Sequence, residues 1–185
     1  MQSQTQKHLD NLRSEDSELQ NQAFSHILKE TEKPVDWAYE VWDQLIDALR
    51  HKDNHVRAIS AQILANLGAK SDPKNRMQKD LPKLMAVTKD ERFVTARHTL
   101  QSVWKIGAFN RKMQEPVIDA LAYRFEECAT EKNCTLIRYD IIQDFRNIYD
   151  EVKEEAIKRK ALELIETEED LKYKKKYATV WKKTV

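Results

Sequence analysis

The apolar residues between Asp53 and Gly68 recur with the spacing of one helix face. At about 3.6 residues per turn, their offsets of 0, 3, 7, 8 and 11 form a single stripe, which predicts an amphipathic helix. Aspartate is a common N-cap residue, and Asp53 precedes the stripe. Glycine is common just after the last turn of a helix, and Gly68 follows the stripe. We therefore predict a helix between these two residues. The stripe consists of Val56, Ile59, Ile63, Leu64 and Leu67.

The same pattern returns along the chain. Asp16, Asp53 and Asp90 are spaced 37 residues apart, and each begins a copy; a fourth copy starts at Ile137, 44 residues after Phe93. Helix pairs that repeat every 35 to 45 residues or so are typical of an α-solenoid. The apolar positions of the other copies are Leu19, Ala23, Phe24, Ile27, Phe93, Ala96, Leu100, Trp104, Ile141, Phe145 and Ile148.

The run DNHVRAISAQILANLG resembles the second helix of a HEAT repeat, in which an Asp turn precedes Val-Arg, small residues and a closing Leu-Gly. The resemblance implies an all-α fold, a right-handed α-solenoid of about five antiparallel helix pairs in a single domain, 1–185. It implies no activity, because HEAT repeats serve many functions. The matching residues are Asp53, Val56, Arg57, Ala58, Ala61, Leu67 and Gly68. The expected repeats are 1–31, 35–70, 75–108, 114–150 and 151–183.

In HEAT arrays the second helix of each pair lines the concave side, so the resemblance places the polar flanks of these helices at a partner-binding groove. Arg57 has a competing structural role, in a ladder with Asp53 or Asp90. Tyr139 and Arg146 lie opposite their own apolar stripe, which favours binding. The partner-binding candidates are Arg57, Thr95, His98, Arg138, Tyr139 and Arg146.

The composition offers no positive sign of catalysis. Two glycines in 185 residues exclude a glycine-rich phosphate loop, and no hydrolase or zinc-protease motif occurs. Of the five histidines only His51 and His55 are close, and a turn is predicted between them, so we expect no metal site and no cofactor. Cys128 and Cys134 are expected to be ordinary thiols; a disulfide between them is the alternative.

Charge and hydropathy bear on location and partners. The chain contains no apolar run of about 20 residues and no signal-peptide core, which predicts a cytoplasmic protein without membrane contact. The net charge is +1, but residues 171–185 carry six lysines and no acid. A nucleic-acid site on this segment would consist of Lys172, Lys174, Lys175, Lys176, Trp181, Lys182 and Lys183.

Three hypotheses follow. The first is a non-catalytic scaffold or adaptor that binds a protein or peptide on a concave face. The second is nucleic-acid binding, including the special case of the HEAT-like DNA glycosylases that excise alkylated purines, which Trp104, Trp181 and the lysine-rich segment Lys172 to Lys183 resemble. The predicted groove lacks the run of Lys and Arg that would neutralise phosphates along its length, and no catalytic residue of that family matches a position here. The third is an accessory subunit, similar in kind to the HEAT-like lyases that attach bilins. The pattern does not indicate an oligomeric state.

Overall fold

A computed structural model describes residues 3–182. These residues form ten α-helices joined by turns and three short 3-10 helices, without any strand, so the all-α prediction is confirmed. The helices are α1 (Ser3–Asn11), α2 (Ser17–Glu30), α3 (Ala38–Ala48), α4 (Asn54–Lys70), α5 (Met77–Ala86), α6 (Phe93–Phe109), α7 (Gln114–Glu127), α8 (Cys134–Val152), α9 (Glu155–Glu166) and α10 (Leu171–Thr179).

The chain forms two compact units, Met1–Ser102 and Val103–Val185, which we call unit 1 and unit 2. The boundary falls inside α6. In unit 1, α1 packs on α2 and α3 on α4, while α2 also contacts α4 and α3 contacts α5. In unit 2, α8 contacts α7, α9 and α10, and α9 contacts both α7 and α10. Within each unit, therefore, several helices pack against the second helix along the chain, as α2 does on α4, α3 on α5, α7 on α9 and α8 on α10.

The aspartates that recur along the chain act as helix caps in unit 1. The side chain of Asp16 accepts hydrogen bonds from the backbone N–H groups of Glu18 and Leu19, at 2.9 and 3.3 Å. Asp53 accepts from the N–H of His55 at 2.8 Å, immediately before α4. A side-chain acceptor at this position satisfies N–H groups that have no partner within the helix. The predicted start of α4 is confirmed.

The two glycines do not end their helices. α4 continues to Lys70 and α6 to Phe109, so Gly68 and Gly107 lie inside helices, and neither has a positive φ. The prediction that Gly68 stops its helix is wrong. At Gly107, an added Cβ would lie 3.1 Å from both Ile148 Cδ1 and Val117 Cγ1, so a side chain there would require these neighbours to shift slightly within closely packed unit 2.

The apolar stripe of α4 is buried as predicted. Leu64 and Ile63 are fully inaccessible to solvent, and the other stripe residues are almost so. Helix α4 is buried on nearly all sides, including at Ala58, Ala61 and Ala65. Leu19, placed on the corresponding stripe of α2, is 42% exposed and lies outside the core.

Candidate functional site

The partner-binding candidates on α8 lie next to the lysine-rich segment in unit 2. The sequence assigns these two groups of residues to alternative functions. Helix α10 lies against α8, beginning after Asp170, whose carboxylate accepts from the N–H of Lys172 at 2.8 Å. Tyr177 of α10 is buried, and its hydroxyl donates to the carbonyl of Thr135 at 3.0 Å. Burial raises the pKa of Tyr177 well above its usual value, which keeps this hydroxyl a donor. These contacts fix which face of α10 points outward.

Arg138 joins α8 to its neighbours. Its Nε donates to the carbonyl of Phe125 at 3.0 Å, and its Nη1 donates to Glu168 Oε2 at 2.9 Å. The guanidinium carbon also lies 4.7 Å from the centre of the Phe125 ring. Burial acts to lower the pKa of Arg138, but the hydrogen bond to Glu168 and nearby charges outweigh it and raise the pKa. These contacts engage Arg138 in holding α7, α8 and the turn before α10 together.

Arg146 fixes the other end of α10. Its Nε donates to Asp150 Oδ2 at 2.7 Å and its Nη1 to the carbonyl of Val180 at 3.2 Å. Its guanidinium lies 5.5 Å from the centre of the Trp181 ring, and that ring lies edge to face with the Tyr149 ring, 5.4 Å between ring centres. Trp181 is half-buried, and its indole N–H has no hydrogen-bond partner among residues 3–182. The Arg146 guanidinium is thus engaged within the protein.

Tyr139 is half-exposed next to the lysines of α10. The Nζ atom of Lys176 lies 4.9 Å from the centre of the Tyr139 ring, within the range of a cation–π contact. Lys176 is exposed, so this contact of its ammonium group with the Tyr139 ring lies at the protein surface.

Three exposed lysines share the outer side of α10. Lys172, Lys175 and Lys176 are separated by three and four residues, which places them on one helix face. We call these three residues, with Tyr139, the lysine face. Lys174 is half-buried and donates to Glu166 Oε2 at 2.8 Å, so its charge is already paired. Lys182 is exposed beyond the end of α10, and Lys183 lies outside the described residues.

The remaining candidates belong to unit 1. The guanidinium of Arg57 forms two parallel hydrogen bonds with Asp90, Nε to Oδ2 at 2.6 Å and Nη2 to Oδ1 at 2.8 Å, and its Nη1 donates to the carbonyl of His51. Thr95 is 1% exposed, and its hydroxyl donates to the carbonyl of Asn54, so the prediction that it lines an open groove is wrong. His98 is exposed on α6.

The sequence reasoning missed two buried acids on α8. Asp140 and Asp144 are 4% and 1% exposed, and Asp144 Oδ2 has no hydrogen-bond partner among the described residues. Burial, followed by the negative charge of Asp140, raises the pKa of Asp144 well above its usual value. A signal was present, because both acids fall among the apolar stripe positions of the fourth copy.

Replacing Asp144 with leucine is expected to stabilise unit 2 at neutral pH by about 1 to 3 kcal/mol, the usual penalty of an unsatisfied buried polar group. The folded state holds the proton while the unfolded chain releases it near its reference pKa of 3.8. The penalty in the natural protein therefore grows as pH rises above about 4, and the gain from the substitution grows with it.

Urea unfolding of both proteins between about pH 4 and pH 8 measures this difference. Replacing the exposed Asp119 of α7 with leucine provides the control, since a solvated carboxylate has no comparable burial penalty. A leucine variant of Asp144 that is less stable throughout this range would show that the carboxyl group makes favourable interactions.

The described residues contain few of the arrangements that support catalysis. No group of three or more His, Cys, Asp or Glu side chains within residues 3–182 is placed to hold a metal ion. Cys128 and Cys134 are free and buried, and burial raises the pKa of the Cys128 thiol to about 12, so this sulfur is protonated at neutral pH.

Between residues 3 and 182, no helix combines the length and apolar character needed to cross a bilayer.

Comparisons with known proteins bear on the fold. No protein-family model matches the sequence, and a search of curated proteins finds no significant match. Solved structures do match: the crystal structure of an engineered protein from the Northeast Structural Genomics Consortium is similar, with a TM-score of 0.56 at 20% identity. That match covers 97% of this chain and 79% of the engineered one. At this level of identity the similarity extends to the fold alone.

Proposed function

We propose that the protein is a non-catalytic adaptor that binds an acidic segment of a partner polypeptide on the lysine face. The observation that carries this proposal is the set of exposed ammonium groups on α10. Within residues 3–182 no ion pair engages Lys172, Lys175 or Lys176, whereas Lys174 is paired with Glu166. Unpaired like charges on one helix face create a positive potential that attracts a negatively charged partner.

We further propose that the helices of each unit stack as HEAT-like pairs. Two features support this. Second helices contact second helices, as α2 contacts α4 and α8 contacts α10, and first helices contact first helices, as α3 contacts α5 and α7 contacts α9. The Arg57–Asp90 pair joins one predicted repeat to the next, as the resemblance implies. Stacks of this kind provide rigid surfaces for partners.

An acidic polypeptide fits the lysine face better than a single-stranded nucleic acid. Proteins that bind single strands offer aromatic rings on which bases stack. Here one cation already covers each ring near the face: Lys176 covers Tyr139, Lys172 lies 5.6 Å from the Tyr173 ring, and Arg146 covers Trp181. The three lysines of the lysine face lie within one nine-residue helix and therefore span few phosphates.

Reversing the three charges, in the combined variant Lys172→Glu, Lys175→Glu and Lys176→Glu, is expected to weaken binding of a labelled oligoglutamate peptide about tenfold or more, equivalent to about 1.4 kcal/mol or more. The three side chains are exposed, so the fold should persist. Fluorescence anisotropy at low salt measures the affinity, and the affinity of the natural protein should fall as salt screens the charges.

The matched control reverses three exposed lysines of unit 1, Lys33, Lys52 and Lys79, with the same change in net charge. Equal losses in both variants would assign the binding to net charge and contradict a site on α10. A single-stranded oligonucleotide and a neutral peptide complete the assay. Binding of the oligonucleotide without binding of the oligoglutamate would overturn the proposal in favour of nucleic acid.

A further inference from the structure

Two histidines of unit 1 lie face to face where α1 meets α2. The ring centres of His8 and His26 are 4.0 Å apart, with an angle of 22° between the ring planes. His8 Nδ1 is buried and has no hydrogen-bond partner among the described residues. The neutral imidazole can leave this nitrogen as a bare lone pair. The protonated imidazole would instead place an N–H there without an acceptor. An unsatisfied buried donor on a charged group costs more free energy than an unsatisfied lone pair on a neutral one.

The surroundings of His8 supply little compensation for a positive charge. The charged groups that act on it are His26 and Glu30 of α2 and Lys7 of α1 itself. A small cavity beside α1 is lined by the cation Arg13 and by neutral side chains of α3 and α4: Val41, Gln44, Leu45, Ala48, Val56 and Ser60. Burial, then His26 and Lys7, lowers the pKa of His8, while Glu30 acts in the opposite direction.

The carboxylate of Glu30 is shared among several donors. The Trp37 indole N–H donates to Oε1 at 3.1 Å, the Thr5 hydroxyl lies 3.3 Å from each oxygen, and His26 Nε2 lies 3.5 Å from Oε2. No contact of Glu30 with the buried Nδ1 of His8 is formed. Glu30 therefore holds α1 through Thr5 and acts on His8 through its charge alone, without a hydrogen bond to Nδ1.

We propose that α1 is a proton-sensitive strap on unit 1, which loosens from α2 when His8 takes up a proton. Protonation adds a positive charge 4.0 Å from the His26 ring and an unsatisfied N–H at the α1–α2 contact. Loosening of α1 uncovers the apolar side chains that Leu9 and Leu12 now cover; with Val41 and Leu45 these two leucines line a cavity of about 20 Å³. Acidification thereby exposes an apolar surface of α3 and α4.

The direction of the pH response follows from the depressed pKa. The unfolded or undocked His8 takes up its proton near its ordinary value of 6.5, while the docked form resists protonation. The docked state is therefore fully favoured above about pH 6.5 and loses stability as pH falls below it, until the docked form also titrates.

Hydrogen exchange of the whole chain tests this. We expect the protection of α1 amides, corrected for intrinsic exchange, to fall about fivefold or more between about pH 7.5 and pH 5.5, relative to the amides of α4. The variant His8→Phe keeps a stacked ring without a titrating group and should lose this pH response. His55→Phe, at an exposed site of α4, is the matched control and should keep it.

A pH response that persists in His8→Phe, or protection of α1 that does not change with pH in the natural protein, would overturn the proposal. If His8→Phe does not fold, an NMR titration of the His8 ring in the natural protein decides the matter instead. Titration below 6.5 together with loss of α1 protection supports the strap, and titration above 6.5 contradicts it.

Discussion

The substitution Asp90→Ala is expected to lower the free energy of unfolding of unit 1 by about 3 to 5 kcal/mol, because it leaves a buried guanidinium without its partner. The side chains of Arg57 and Asp90 are 12% and 6% exposed and share two short hydrogen bonds. Burial acts to raise the pKa of Asp90, but hydrogen bonds from Arg57 and the Arg92 backbone outweigh it and hold the pKa low. Chemical unfolding followed by circular dichroism measures the loss.

Asp43→Ala is the matched control in the same unit. Asp43 also pairs with an arginine, Arg76, but its side chain is 79% exposed, so its removal should change stability by about 1 kcal/mol or less. Because the pKa of Asp90 is depressed, the stability from this pair is present above about pH 4 and is lost as pH falls further. Equal effects of the two substitutions would contradict a structural role for the Arg57–Asp90 pair and favour partner binding by Arg57.

The substitution Leu64→Ala should lower the free energy of unfolding of unit 1 by about 2 to 5 kcal/mol. Leu64 is fully buried in α4, which is itself surrounded on nearly every side. Removing its three outer carbon atoms loses apolar burial and leaves a cavity that close-packed neighbours refill only in part. Trp37 and Trp42 both belong to unit 1 and are buried, so their fluorescence reports its unfolding.

Leu19→Ala provides the comparison. This substitution removes the same atoms at a solvated position, because Leu19 is 42% exposed on α2. Its effect should stay within about 0.5 kcal/mol. A loss below about 1 kcal/mol for Leu64→Ala would mean that α4 does not carry the core of unit 1.

The candidate site shows which of its features could be predicted from the pattern of residues along the chain. The lysines of α10 could be found from composition, and the polar flank of α8 from its periodicity. The contact between these lysines and the flank of α8 could not be predicted from composition or from periodicity. Tyr139 and Lys176 are 37 residues apart, and only the packing of α10 on α8 places the ammonium group over the ring. The same packing engages Arg138 and Arg146 in contacts within the protein.

What the sequence by itself determined was local. Aspartates at Asp16 and Asp53 start helices because a side-chain acceptor satisfies N–H groups within three residues, and the stripe of α4 predicts its buried face because helix geometry alone sets the spacing. The tertiary structure decided everything that depends on distant neighbours. Gly68 does not end α4, the Asp144 carboxyl group is buried, and Thr95 is buried. These outcomes depend on which helices lie alongside, and the spacing of residues within one helix does not contain that information.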